Sequence, residues 1–539
     1  MKKNKFFILL MILSFGCSTG KYSDKKIFRY NESKGITSLD PAFAKSQTNI
    51  WPVHQLFNGL VALDKNLKVT PSIASHWKIS ENGKIYTFFL RQDVFFHYDT
   101  VFENGTRNVT ASDFVYSFKR LTNATIASPG SWIFNMINKD TLNLGFYAAN
   151  DSVLQIFLKT PFPGFLGLLS MAYCSVVPKE AITAYGNNFR SHPVGTGPFK
   201  FKYWKEGEKL ILLRNENYFE KDSLGNPLPY LDAVNISFIA DKQSEFLEFL
   251  KGNLDFISGV NANNRNELLT RQGNLNSAYV QKFTMHTQPY LNTEYLGFLL
   301  DSMKILPQYK VLLNKKVRQA INYGFNRKKM LKYLRNNIGT PANKGFIPCG
   351  LPGYGKTKGY YYNPEKARQL LEEAGFPQGK GLPDIKLSTT SDYLDLCEFL
   401  QHDLENIGIH LKLEVNTGAT FRNFVAYGHL SFFRASWIAD YPDAENYLAL
   451  FYSKNFSPGG PNYTHFSNTT YDSLYEKSLT ITNVSERIAL YRQMDQIIID
   501  NAVIVPLYYD QVVDFTQKNI VNFETNPLNL LELKNVVKK

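Results

Sequence analysis

The sequence predicts an α/β protein built in more than one unit, and three observations carry that expectation. A strand–helix–strand pattern spans residues 385–415. The texture of the chain changes near Tyr290, from strand-rich segments to alternating helices and strands. The length, 539 residues, allows two to four domains or lobes as a prior.

In chain order, short apolar runs alternate with turn signals from about Ile27 to Leu90. Within them, residues 84–91 (KIYTFFLR) read as a strand entered from the turn Glu81-Asn82-Gly83. Thr110-Ala-Ser-Asp113 has the form of a capping box and opens a helix with Phe114, Val115 and Phe118 inward. Strand-like stretches return around 199–214 and 234–239. Later, Asn363-Pro364 starts a helix with Ala367, Leu370, Leu371 and Ala374 on one stripe, stopped by Gly375 and Pro377. Ile385-Lys386-Leu387 is a strand, and the next helix carries Leu396, Leu400, Leu404 and Ile407 before Gly408. Ile409, Leu411, Leu413 and Val415 then alternate as a second strand. This is a βαβ unit, which implies parallel strands. Residues 430–437 (LSFFRASW) read as a further strand, ended by Asp440-Tyr441-Pro442-Asp443. In open α/β sheets ligands sit beyond the carboxyl ends of strands, so this end is well placed for a site.

Composition excludes several classes. Hydrophobic residues at 44% and charged residues at 20% are ordinary globular values, which argues against disorder. The formal charge of +13 raises nucleic acid or an anionic surface as partners, but the basic residues are dispersed and no nucleic-acid role is expected. Lys2, Lys3 and Lys5, the apolar run from Phe6 to Leu13 and Ser14-Phe15-Gly16-Cys17 form a signal peptide, residues 1–16, too short for a permanent span. Gly16-Cys17 resembles a bacterial lipobox, with Ser14 where an aliphatic residue is usual. Cys17 is then the lipidated residue and 17–26 a tether; ordinary secretion is the alternative. Cys174, Cys349 and Cys397 form no metal or disulfide pattern; one bridge or three separate small core residues both fit.

Two glycine-rich motifs are decoys. Residues 350–357 match a P-loop formally, but no helix follows directly and Pro348 breaks the approach. Gly195-Thr196-Gly197 lacks the third glycine of a dinucleotide fingerprint and reads as a turn needing positive φ. HExxH and GxSxG are absent. No carboxylate pair stands out, no cofactor or metal is implied, and an enzyme is unsupported.

Several blocks together resemble extracellular solute-binding protein family 5, the oligopeptide- and dipeptide-binding proteins of bacterial ABC importers. They are 74–83 (ASHWKISENG), 86–91 (YTFFLR), 110–114 (TASDF), 192–199 (HPVGTGPF), 317–321 (VRQAI), 348–354 (PCGLPGY), 362–367 (YNPEKA), 437–443 (WIADYPD) and 459–462 (GGPN). They are collinear across nearly the whole mature chain. Residues 99–108 look longer than usual, and Ala444 stands where a proline is common.

The resemblance implies an α/β, two-lobed periplasmic-binding-protein-like fold (type II, cluster C). Lobe I would be 27–285, with an extra subdomain at about 71–190, lobe II 286–507, and 508–539 a return to lobe I. It implies a monomeric periplasmic or extracytoplasmic receptor, lipid-anchored to a bacterial membrane, that binds a short peptide and delivers it to ABC transporter permease subunits. A nickel chelate, haem or sugar is the alternative ligand. An exported hydrolase or a structural lipoprotein is the alternative of another class.

The family also implies roles. Asp440 would pair with the ligand α-ammonium and Arg434 with a carboxylate. Main chain at Ser436, Ile438 and Ile36 would hold the peptide as an added strand. Trp437 would wall a pocket, and Tyr508 is a further candidate near the hinge. Each has a plainer reading: Asp440 as a turn cap, Arg434 as an ion-pair partner, Trp437 as core, Tyr508 as a structural residue. On an unbroken strand Arg434 and Asp440 share a face roughly 20 Å apart, and side-chain reach leaves about 10 Å, an extended tripeptide.

Overall fold

The computed structural model describes residues 25–259 and 264–539. Cys17 and the leader expectation lie outside them. Among the described residues, no helix is long and apolar enough to cross a membrane.

The local signals fold as their chemistry dictates. Asp113 accepts from the Thr110 N–H at 2.9 Å and opens the helix Ala111–Thr122. Asn363 caps Pro364–Glu373 through the Lys366 N–H at 2.9 Å. The βαβ unit is present as Ile385–Thr390, the helix Leu394–Glu405 and Leu411–Asn416, with the two strands parallel.

An eleven-stranded sheet organises the molecule. Its middle is a pair of long antiparallel strands, Phe283–Phe298 and Ile504–Gln517. The beginning of the first and the end of the second lie with the early strands, where Phe256–Ser258 pairs with 514–516. Their other halves lie with the later strands: Phe432–Ile438 pairs with 292–298, and Thr340–Pro341 with 508–509. Between Pro289 and Thr293 the register of the long pair slips, a bulge that bends the ribbon between the two halves.

Each half has its own core. Phe28, Trp51, Phe118, Leu154 and Phe256 belong to the larger one, which also takes in Leu531 and Leu533 from the chain end. A second unites Leu296, Ile321, Leu387, Leu400 and Phe432, and a third Leu291, Phe346, Tyr447 and Met494. A second, four-stranded antiparallel sheet from Ala74–Ile79, Ile85–Leu90, Val153–Phe157 and Phe146–Asn150 packs into the first core through Phe88, Phe146 and Leu154.

Two expectations need correcting. Neither Gly195 nor Gly197 has positive φ. A Cβ would instead strike backbone, 2.0 Å from the Leu56 oxygen at Gly195 and 2.4 Å from the Gln55 oxygen at Gly197. These glycines permit close approach of two chain segments, a long-range demand invisible in local sequence. The three cysteines 174, 349 and 397 are all free; Cys174 and Cys397 are buried, while Cys349 is only partly so and is no core residue.

Candidate functional site

The strand Phe432–Ile438 is held on one edge by Phe283–Phe298 from residue 432 to 438. On its other edge Ile385–Thr390 touches it only through Ser388 against Phe433. Ala439 donates its N–H to the Leu291 oxygen at 2.9 Å. Alternation along an antiparallel ladder therefore turns the main-chain groups of Ser436 and Ile438 toward the open edge.

Just past the strand, Pro442 has no N–H to continue a ladder, and the chain is anchored by buried polar contacts. The Tyr441 and Tyr475 hydroxyls both donate to the buried Glu445. Asp443 accepts from the Tyr491 hydroxyl at 2.8 Å and from the Glu445 N–H at 3.0 Å. The Tyr441 ring enters the core of the first half, so this turn also bridges the two halves. With its neighbours fixed, Asp440 projects into a cavity between them.

That cavity has a volume of about 390 Å³. The later half contributes Tyr290, Ile438, Ala439 and Asp440. Opposite lie Lys45, Gln47 and Ile50, then Trp132 and Tyr173, with Leu528 and Leu530 of the C-terminal return closing one side. The wall is largely apolar and aromatic, with few polar groups, as ligand sites are. A larger cavity of about 450 Å³ adjoins it, and both touch His54, Leu63 and Leu530. Most charges around the larger one are matched, His54 with Glu532 at 3.1 Å, Lys534 with Glu220 at 2.7 Å and Lys65 with Glu524 at 2.8 Å, while Asp64 is used by its own turn, accepting from the Asn66 and Lys68 N–H groups. The smaller cavity is the better candidate because Asp440 is not matched.

Among the described residues no cation stands within 4.0 Å of the Asp440 carboxylate. Its one side-chain hydrogen bond comes from Asn446 Nδ2 at 3.3 Å. The same Asn446, through Oδ1, receives the Asp440 N–H at 3.1 Å and Trp437 Nε1 at 2.9 Å. Asp440 is open to the cavity yet ringed by protein. Desolvation raises its pKa above the ordinary aspartate value, and the Asn446 bond only partly opposes this. Tyr173 faces it and is kept protonated, first by burial and then by the Asp440 charge. The arrangement can take up a cation.

Arg434 is placed quite differently. Its guanidinium is largely buried, pairs with the buried Glu294 and lies 3.2 Å from the centre of the Tyr393 ring. Nearby, Arg335 pairs with Asp510 at 2.7 Å and covers the Tyr508 ring at 4.5 Å. Asn292 donates to Glu294 at 3.1 Å and to Asp510 at 3.3 Å. Burial raises the Glu294 pKa, an effect the Arg434 charge opposes.

Of the sequence-predicted residues, Asp440 and Ile438 line the cavity, and Ile438 is well exposed there. Trp437 is half-buried against the third core, and Ser436 sits in the ladder opposite Glu294. Ile36, Arg434 and Tyr508 are not on the cavity wall. Ile36 packs in the first core, Arg434 is bound to Glu294, and Tyr508 is buried in the second core. Lys45, Trp132, Tyr173, Tyr290 and Leu528 escaped sequence reading. A high aromatic fraction was the only trace of Trp132, Tyr173 and Tyr290, and Lys45 and Leu528 left none, since all five come from segments that meet only on folding. Among the described residues no group of three or more His, Cys, Asp and Glu could hold a metal.

The model for bacterial extracellular solute-binding proteins, family 5 (middle), matches residues 68–459. Among curated proteins, Heme-binding protein A of Haemophilus influenzae is 28% identical, covering 90% of this chain and 88% of the relative. The dipeptide-binding protein of Escherichia coli is 26% identical, with 89% and 88% covered. Among solved structures, the ABC transporter-associated periplasmic binding protein DppA from Helicobacter pylori in complex with the peptide STSA superposes with a TM-score of 0.76. It is 25% identical, with 95% of this chain and 98% of that chain covered. The family model covers residues 68–459 and these relatives 89–95% of the two-lobed α/β chain, and the chain belongs to the bacterial extracellular solute-binding proteins, family 5.

Proposed function

We propose that the protein is an extracytoplasmic receptor that captures a short peptide between its two lobes and delivers it to an ABC transporter permease. The observation that carries this reading is Asp440: an unpaired carboxylate, raised in pKa by desolvation, on the wall of the cavity between the halves. An ammonium group is the complement such a site lacks. The open edge at Ser436 and Ile438 offers main-chain partners to an extended ligand, which gives affinity without reading side chains. The named ligands of the Escherichia coli and Helicobacter pylori relatives support the same class.

Lobe I corresponds to about 27–285 with its subdomain near 71–190, lobe II to 286–507, and 508–539 returns to lobe I. The hinge lies at the slipped register around Pro289–Thr293, where two long strands pass between the lobes. Cys17 carries the lipid that holds a monomeric receptor at the membrane, and the protein binds rather than converts its solute.

Mass spectrometry of material co-purifying with the gently isolated protein tests the ligand class, followed by calorimetry with di-, tri- and tetrapeptide pools. Binding of haemin or nickel–histidine with no peptide binding would replace the peptide reading, and Heme-binding protein A is the relative that favours haemin. Turnover of a peptide pool would replace receptor by hydrolase.

A further inference from the structure

A peptide has two charged ends, and Asp440 can meet only one. The cations near the cavity differ in whether they are free to meet the other. Arg434 is bound to Glu294 and stacked on Tyr393. Were a ligand carboxylate to take Arg434, Glu294 would be left as a buried, unpaired anion, which is strongly unfavourable. Arg335 is bound to Asp510 in the same way. On the cavity wall itself, His54 faces Glu532 at 3.1 Å. Lys45 remains. It lines the same cavity as Asp440, its side chain is exposed, and among the described residues no carboxylate lies within 4.0 Å of it.

Resting on the peptide reading, we infer that Lys45 of the first half, and not Arg434 of the second, receives the ligand carboxylate. The two charges that recognise a zwitterion then come from opposite walls, Lys45 between Pro41–Phe43 and Gln47–Leu56, and Asp440 after Phe432–Ile438. A bound zwitterion is an electrostatic tie across the cleft, so its two ends favour the closed arrangement together. A ligand with one end blocked ties only one wall. Glu294 becomes a specificity residue: by holding Arg434 off the cavity wall it keeps that guanidinium from competing for the carboxylate.

The test uses the full chain and the probes Ala-Phe, Ala-Phe-Ala and Ala-Phe-Ala-Phe, each as free acid and as C-terminal amide, with affinities from calorimetry. The wild type should prefer the acid of its best-bound length by roughly 5- to 20-fold. Lys45→Met should bring that acid-to-amide ratio close to one, with an unaltered melting profile to show folding. Equal binding of acid and amide by the wild type overturns this inference and leaves the Asp440 reading standing. A ratio that survives Lys45→Met but collapses in the Glu294→Gln/Arg434→Met double variant assigns the carboxylate to Arg434 and overturns it too. If no probe binds in either form, the peptide reading falls and the inference falls with it.

Discussion

Arg434 and Asp440 bracket the same strand end, and the protein treats their charges in opposite ways. Arg434 is withdrawn from solvent, paired with Glu294 and stacked on Tyr393. Asp440, ringed by protein but exposed to the cavity, has no counter-ion among the described residues and is held only by Asn446 at 3.3 Å. A buried pair satisfies itself and reads nothing; a desolvated single charge keeps its electrostatic demand for a partner from outside. The difference separates a satisfied charge from an open one more surely than residue type or position along the strand.

The sharpest way to break this comparison is to unpair Arg434. Arg434→Met strands Glu294 in the interior and should cost about 3–5 kcal/mol of stability in urea unfolding. The Glu294→Gln/Arg434→Met double variant should recover most of it. A single substitution costing less than the ~1 kcal/mol of an exposed pair would mean that Arg434 is not closed off.

Removing the open charge should act on binding instead. Asp440→Asn should weaken a zwitterionic peptide by roughly 2–5 kcal/mol in calorimetry while the urea midpoint at pH 7 does not fall. Acetylating the peptide N-terminus should have a similar effect on the wild type. Undiminished affinity for the acetylated form would remove the ammonium from the site.

Acid titration separates stability from affinity. The raised pKa of Asp440 comes first from desolvation, so protonation favours the ligand-free fold. That contribution is full below the unfolded aspartate value and is lost as pH rises through the folded one. Ammonium binding needs the ionised form, so affinity moves the other way and falls as the solution is acidified through the same window. Peptide titrations of wild type and Asp440→Asn from pH 7 to 4 should show the slope only in the wild type; identical slopes would point to another group.

The smallest effect belongs to the support. Asn446→Ala deletes the one side-chain donor to Asp440 among the described residues and the partner of Trp437, and should lower peptide affinity by about 1 kcal/mol. No change in affinity would show that Asp440 needs no such positioning.

Much of the architecture was legible where the signal is local. The helix Pro364–Glu373 and the parallel pair Ile385–Thr390 and Leu411–Asn416 follow from caps, stripes and alternation over neighbouring residues. That a carboxylate, Asp440, follows the strand end was legible in the same local way. The side chains of Ile36 and Tyr508 pack in the first and second cores, a depth that the family signal does not carry.

By itself, then, the sequence determined the secondary elements, the two-part α/β plan and the carboxylate at a strand end, because propensity and patterning act over a few residues. Tertiary structure alone decided that Glu294 would meet Arg434, that Lys45 and Tyr173 would line one cavity with Asp440, and that Gly195 and Gly197 must lack side chains. Those outcomes depend on strand register and on segments far apart in the chain coming into contact, and no local pattern encodes which charge finds a partner and which is left open.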